Sequence, residues 1–291
     1  MTAALRPLAS EGGVQASARR PANGSRRRAG KAHVEWVHDR LTGRDWQIIE
    51  ALARLRVASG EHLERLFFSS LSSPRSRVAS RSRALRRLTA WRVLVPLERR
   101  VGGAGRGSSG SAFALDSVGQ KVLLARQLAD GTAGRVRRPS TPSDRTLKHA
   151  LAVSDLYVNL VELGRVYGFT VDEYRVEPRW PDGQGGQLGP DAYARLSLGA
   201  VVDHWWTEVD RATEDLETTL RRKLMAYLDF ARRGQLGPSG VVPRVLVSCS
   251  TEARRKAVDG LVSHLPPPAG ELFAVTHAER SAQFLSEVLK E

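Results

Sequence analysis

The sequence predicts an α/β chain, α+β overall, in which an N-terminal winged helix-turn-helix precedes a mixed sheet flanked by helices. Three observations predict it. Between Leu41 and Asp116 three helical patterns lead into two short strands around a Gly/Ser-rich basic tip, the element order of a winged helix. Beyond Thr146 the patterns follow as α-β-β-β-α-β-α-β, which is a mixed sheet with helices on its faces. Charge divides at the same place: Met1–Arg145 hold 28 Lys+Arg against 11 Asp+Glu, or +17, whereas Thr146–Glu291 hold 17 against 20, or −3, within a net charge of +14.

Taken in order, residues 1–40 read as a disordered basic arm. Its Ala, Arg, Gly, Ser and Pro, with Arg19-Arg20 and Arg26–Arg28, cannot bury enough apolar surface to offset ordering entropy. Residues 41–130 read as the winged helix. Thr42 is placed to cap a helix carrying Trp46, Ile49, Leu52, Ala53 and Leu55, and "GEHLERLFF" continues as a second helix. Ser72-Ser73-Pro74 caps a third, running to about Trp91, with Val78, Leu85 and Leu88 on its apolar arc and Ser76, Ser80, Arg83 and Arg87 opposite. Residues 131–145, "GTAGRVRRPSTPS" and its flanks, have linker composition.

Arg75 to Arg100 include nine arginines against the single acid Glu98, more than solvation needs. Double-stranded DNA is the expected partner. Arg83 and Arg87 are placed to read base edges, with Ser80 on the same side. Arg75, Arg77 and Arg86 would hold phosphates, and Arg99, Arg100 and Arg106 on the wing would reach the minor groove or backbone.

In the second half "TLKHALAVSDLYVNLVELGRVYG" is a helix with Leu151, Val158 and Leu163 inward. Strands follow at "FTVDEYRVEP", "PDAYARLSLG" and "HWWTEVDR", and then the helix "LETTLRRKLMAYLDFARR". Phosphodiester hydrolysis can use a hard divalent ion that prefers carboxylate oxygens, and Asp191 and Glu208 on successive strands could supply them to Mg²⁺. Glu208 and Asp210 project to one side of their strand and Val209 to the other. His149 opens its helix and could face that pocket, although a lone His is more often structural.

Other chemistries find less support. A single cysteine, Cys249, excludes a disulfide within the chain or a Cys-based zinc cluster. Ser248 and Ser250 lack triad partners in the pattern, and "GGAGRG" lacks the ending of a Walker A loop. With no long apolar run and no secretory pattern, the expected setting is cytoplasmic, nucleoid- or plasmid-associated, without a membrane partner.

"GPDAYARLSL" followed by "HWWTEVDR" resembles the PD-(D/E)XK nuclease core. The resemblance implies a restriction-endonuclease-like fold over 146–291. Glu162 would be its helical acid, Asp191 its "PD" aspartate and Glu208 the acid of its third strand. The family's lysine position holds Asp210, and Lys223 with Tyr227 on the next helix resembles the Q-x-x-x-Y motif of some members, Lys replacing Gln. "LTGRDWQIIEALARLRVASGEHLERLFF", "HALAVSDLYV" and "EVDRATEDLETTLRRKLMAYLDF" are similar to the replication-relaxation family of plasmid and mobile-element proteins, over about Leu41–Phe230. That likeness implies replication control, either by a Mg²⁺-dependent DNA nuclease or by a non-catalytic regulator or adaptor. Its protein partners would be a replication or conjugation protein and a second copy of the chain.

Overall fold

The computed structural model describes residues 29–97, 111–131 and 143–290. Most of the basic arm, the wing arginines Arg99, Arg100 and Arg106, and most of the 131–145 segment lie outside the described residues. The first half contains α1 (Lys31–His38), α2 (Gly43–Leu55), β1 (Ala58–Ser59), α3 (Gly60–Phe67), α4 (Pro74–Ala90), β2 (Leu94–Leu97), β3 (Ala112–Leu115) and α5 (Ser117–Ala129). The three strands form an antiparallel sheet in the order β1-β3-β2.

Local chemistry explains most of these boundaries. Thr42 caps α2 through a reciprocal capping box with Asp45, and Ser73 caps α4 with Pro74 in its first turn. Two helices depart from the sequence reading. Lys31–His38 is helical, although the arm was expected to run to residue 40: Val37 is fully buried and Trp36 meets Trp91 edge-on, an apolar anchor hidden in a basic context. α5 was missed altogether, though Asp116 caps it and Val118 and Val122 are buried.

The second half comprises α6 (Asp144–Tyr167), β4 (Thr170–Val176), β5 (Trp180–Pro181), β6 (Gln187–Leu188), β7 (Ala192–Leu198), β8 (Val201–Asp210), a π-helical turn at Leu216–Leu220, and α7 (Arg221–Arg232). β9 (Arg244–Cys249), α8 (Glu252–Ser263), α9 (Ala269–Leu272), β10 (Phe273–His277) and an unexpected α10 (Ala278–Val288) follow. The expected α/β class is what forms. A five-stranded mixed sheet runs β10-β9-β8-β7-β4, with β8, β9 and β10 mutually parallel and β7 and β4 antiparallel to their neighbours. α6 ends where Gly168 takes a left-handed φ of 80°.

Both faces of the sheet are covered, which is why β8 carries Trp205 and Trp206, each 1% exposed, in succession. Trp206 packs with Tyr193, Leu224, Tyr227 and Phe230 beneath α7. Trp205 lies in a second cluster with Ala194, Leu246 and Leu285, which continues through Val158 and Leu160 of α6 into Ile49, Leu52, Leu63, Leu85 and Leu88 of the first half. The two halves therefore share one apolar core. Of the arc assigned to α4, Leu85 and Leu88 are in that core, whereas Val78 is exposed because the neighbouring helices do not cover the start of α4.

Candidate functional site

A cleft of about 220 Å³ opens at the end of β8, between the start of α6 and the start of α7. Asp191, Glu208, Asp210 and Lys223 line it together with Arg145, His149, Arg211 and Glu214. The β7–β8 register ends with Ala192 paired to Thr207, and the amide of Asp191, just before β7, donates to the carbonyl of that Thr207 at 3.0 Å. Asp191 Oδ2 accepts from the Val209 amide at 2.8 Å, and its Oδ1 lies 3.0 Å from His149 Nε2. His149, for which the sequence left both a structural and a pocket-facing role open, is thus a cleft residue. The hydrogen bond to Asp191 raises its pKa against the opposing effect of burial.

Glu208 is almost fully buried. The Tyr227 hydroxyl donates to its Oε1 at 2.6 Å, and Lys223 Nζ lies 3.4 Å from Oε2. Lys223 and Tyr227 are one turn apart on α7 and so reach the same carboxylate. Burial, reinforced by the negative charge of Asp191, pushes Glu208 up to about 8. Lys223 also contacts Glu214, at 3.3 Å. Burial alone would lower its pKa, but Glu208, Asp191 and Glu214 together leave it raised, hence cationic.

Two expected members of the site are elsewhere occupied. Asp210 turns to Arg254 on α8, whose Nε donates at 2.5 Å, and accepts from the Ala212 amide; the position of a nuclease lysine is filled by a neutralised ion pair. Glu162 does not line the cleft. It lies thirteen residues along α6 from His149 and forms a two-point pair with Arg65 of α3, assisted by Asn159. Glu214 and Arg254 were not anticipated. Their sequence neighbourhoods are rich in charge, and nothing local marks them as neighbours of β8.

The basic surface on α4 also differs from expectation. Arg87, assigned to base edges, donates at 2.6 and 2.7 Å to Asp45, which is 1% exposed, and lies over the Trp91 ring. It completes the fold because a carboxylate buried at a helix cap needs a cation. Arg77 donates to the Leu71 carbonyl, and Ser80 accepts from Arg83. Arg75, Arg83 and Arg86 are exposed, and among the described residues no acid pairs with them. They share one face of the helix with Ala79.

Cys249 is buried, and burial pushes its thiol up to about 12, so it is no nucleophile. Among the described residues no helix is long and apolar enough to cross a membrane.

The fold and the cleft define an α/β protein with two acids and a lysine converging at the end of a mixed sheet, joined through a common core to a basic helical module. The family model for replication-relaxation proteins matches residues 49–245, more than half of the chain, and the chain belongs to that family. Comparison with curated proteins and with solved structures gave no match.

Proposed function

We propose that this protein binds double-stranded DNA in plasmid or mobile-element replication control and acts on the phosphodiester backbone at the Asp191–Glu208–Lys223 cleft with a divalent cation. The observation that carries the reading is the convergence of these three side chains from the residue before β7, from β8 and from α7. The family membership supports the replication setting. The exposed Arg75, Arg83 and Arg86 support DNA docking by α4 as the third helix of a winged helix-turn-helix, with Ser80 and Arg77 beside them.

Among the described residues no group of three or more His, Cys, Asp or Glu could hold a metal, so the chain does not build a closed cage there. Mg²⁺ commonly takes one or two carboxylates and completes its octahedron with water and phosphate oxygens, and Asp191 and Glu208 suit that role. Burial first, and the charge of Asp191 second, raise the proton affinity of Glu208, and a cation held between the two carboxylates would favour its ionised form. Held by Asp191 and Glu208, a divalent ion would supply Lewis-acid polarisation of a phosphate oxygen and a more acidic water. Lys223 places a fixed positive charge beside Glu208, and Tyr227 orients that carboxylate.

The test is nicking of supercoiled DNA in Mg²⁺ or Mn²⁺. Activity that disappears in Asp191→Ala and in Lys223→Met supports the reading; no activity with any divalent ion removes the catalytic part. A second reading, a non-catalytic regulator or adaptor for a replication or transfer protein, draws support from one observation. Both oxygens of Glu208 already have protein donors, and Asp210 is neutralised by Arg254.

A further inference from the structure

α6 touches both parts of this proposed machinery. Near its start, His149 meets Asp191 in the cleft. Further along, it grips α3 at successive turns. His62 Nδ1 accepts from the Ser59 amide, so its Nε2 carries the hydrogen and donates to Asp155 at 2.6 Å. Arg65 pairs with Asn159 and Glu162, and Arg165 donates to the carbonyls of Arg65 and Leu66 at the end of α3. The Ser154 hydroxyl donates to the Val57 carbonyl at 2.6 Å in a fully buried position.

α3 in turn holds α4. Arg81 donates to Glu64 at 2.7 Å with both side chains largely buried, and Leu85 and Leu88 pack in the same cluster as Leu63 and Leu66. A hinge between the halves would open that cluster and leave Asp155, Glu162, Arg65 and Arg165 without partners. The chain of contacts from the Arg75–Arg83–Arg86 face to Asp191 contains only packed helices.

We infer that the two halves move as one body, so that the cleft meets the duplex at a single fixed offset from the base pairs under α4. This rests on the reading of α4 as the DNA-docking helix. The thirteen residues from His149 to Glu162 span ~20 Å at helical rise. Combined at right angles with the ~10 Å between packed helix axes, this gives ~22 Å, an offset of less than one turn of duplex.

Mapping with a tethered chelate tests this without relying on nuclease activity. Thr213 is exposed on the cleft rim, and the native Cys249 is buried, so a thiol introduced by Thr213→Cys takes an iron chelate selectively. The labelled full-length chain is bound to a duplex selected for affinity, and radical cuts are compared with the nuclease footprint. Expected are cuts within a window of ~4 nucleotides on each strand, at one fixed offset of less than a helical turn from the protected centre. Cuts scattered over two turns, or a normal footprint without cuts, overturn the inference. Should Arg75→Ala, Arg83→Ala and Arg86→Ala together leave the footprint unchanged, α4 docking itself fails and the inference fails with it, an outcome distinct from scattered cuts.

Discussion

Asp191, the residue before β7, is held beside Glu208 of β8 by backbone contacts on either side of it: its amide donates to the Thr207 carbonyl at 3.0 Å and its Oδ2 accepts from the Val209 amide at 2.8 Å. Neither is a surface acid in search of water. Asp191 is fixed by a backbone amide and a histidine, and Glu208 by a tyrosine and a lysine. The pair holds negative charge in a half-enclosed place, and its energetics can be measured.

The sign of the pH effect follows from Glu208. Its carboxyl binds a proton more tightly in the folded chain, where burial and Asp191 push it to about 8, than in the unfolded chain at roughly 4.3. The folded state therefore carries more protons between those values, and stability falls as pH rises through that window, then levels off above it. Glu208→Gln has no charge to desolvate. In urea titrations it should exceed the wild type by on the order of 1–3 kcal/mol at pH 9, with the gap closing near pH 4. A difference independent of pH would contradict the account.

Tyr227 provides the one neutral donor to that carboxylate. Burial and Glu208 hold its hydroxyl protonated, so it stays a donor through the physiological range. Tyr227→Phe keeps the ring against Trp206 and removes only the hydroxyl. Leaving a buried acceptor short of its bond should cost about 1–3 kcal/mol in chemical denaturation. Measured at pH 9, where Glu208 is ionised, the loss should be larger than in a Glu208→Gln background, where no anion is left; equal losses in both would show that the hydroxyl does not serve the charge.

On α4, arginines of the same type should separate cleanly by role. Arg87→Ala leaves Asp45 buried beside its helix cap without a cation, and is expected to lower stability by about 1–3 kcal/mol. Arg83→Ala should change stability by less than about 0.5 kcal/mol, yet weaken DNA binding and reduce the slope of log affinity against log salt by about 1. Filter binding across a salt series and urea melts of the two variants read both quantities. A DNA defect confined to Arg87→Ala would reverse the assignment.

Periodicity and caps exposed much of this architecture in the sequence. Thr42 and Ser73-Pro74 mark helix starts by local chemistry, and the alternation in "HWWTEVDR" puts Glu208 and Asp210 on one side of β8. The Lys223-x-x-x-Tyr227 spacing likewise carries both side chains to Glu208, because helical repeat alone aligns them. Tertiary pairing left no such mark. That Arg87 would serve Asp45, Glu162 would serve Arg65 and Asp210 would serve Arg254 depends on which helices pack together. A charged residue on an amphipathic helix reads the same whether its partner is a phosphate or a distant acid. The role of His149 stays open in the sequence for that reason: its partner Asp191, just before β7, is 42 positions away in the chain.

Titration of the full-length chain with Mn²⁺ at pH 8.5, followed by the unbound ion's paramagnetic signal, decides whether Asp191 and Glu208 hold a cation. Saturable binding of one ion per chain is expected, weakened at least tenfold in Asp191→Asn and weakened again at pH 6.5, where Glu208 holds its proton. Binding that survives Asp191→Asn unchanged, or no saturable binding at pH 8.5, would contradict a cation site between Asp191 and Glu208.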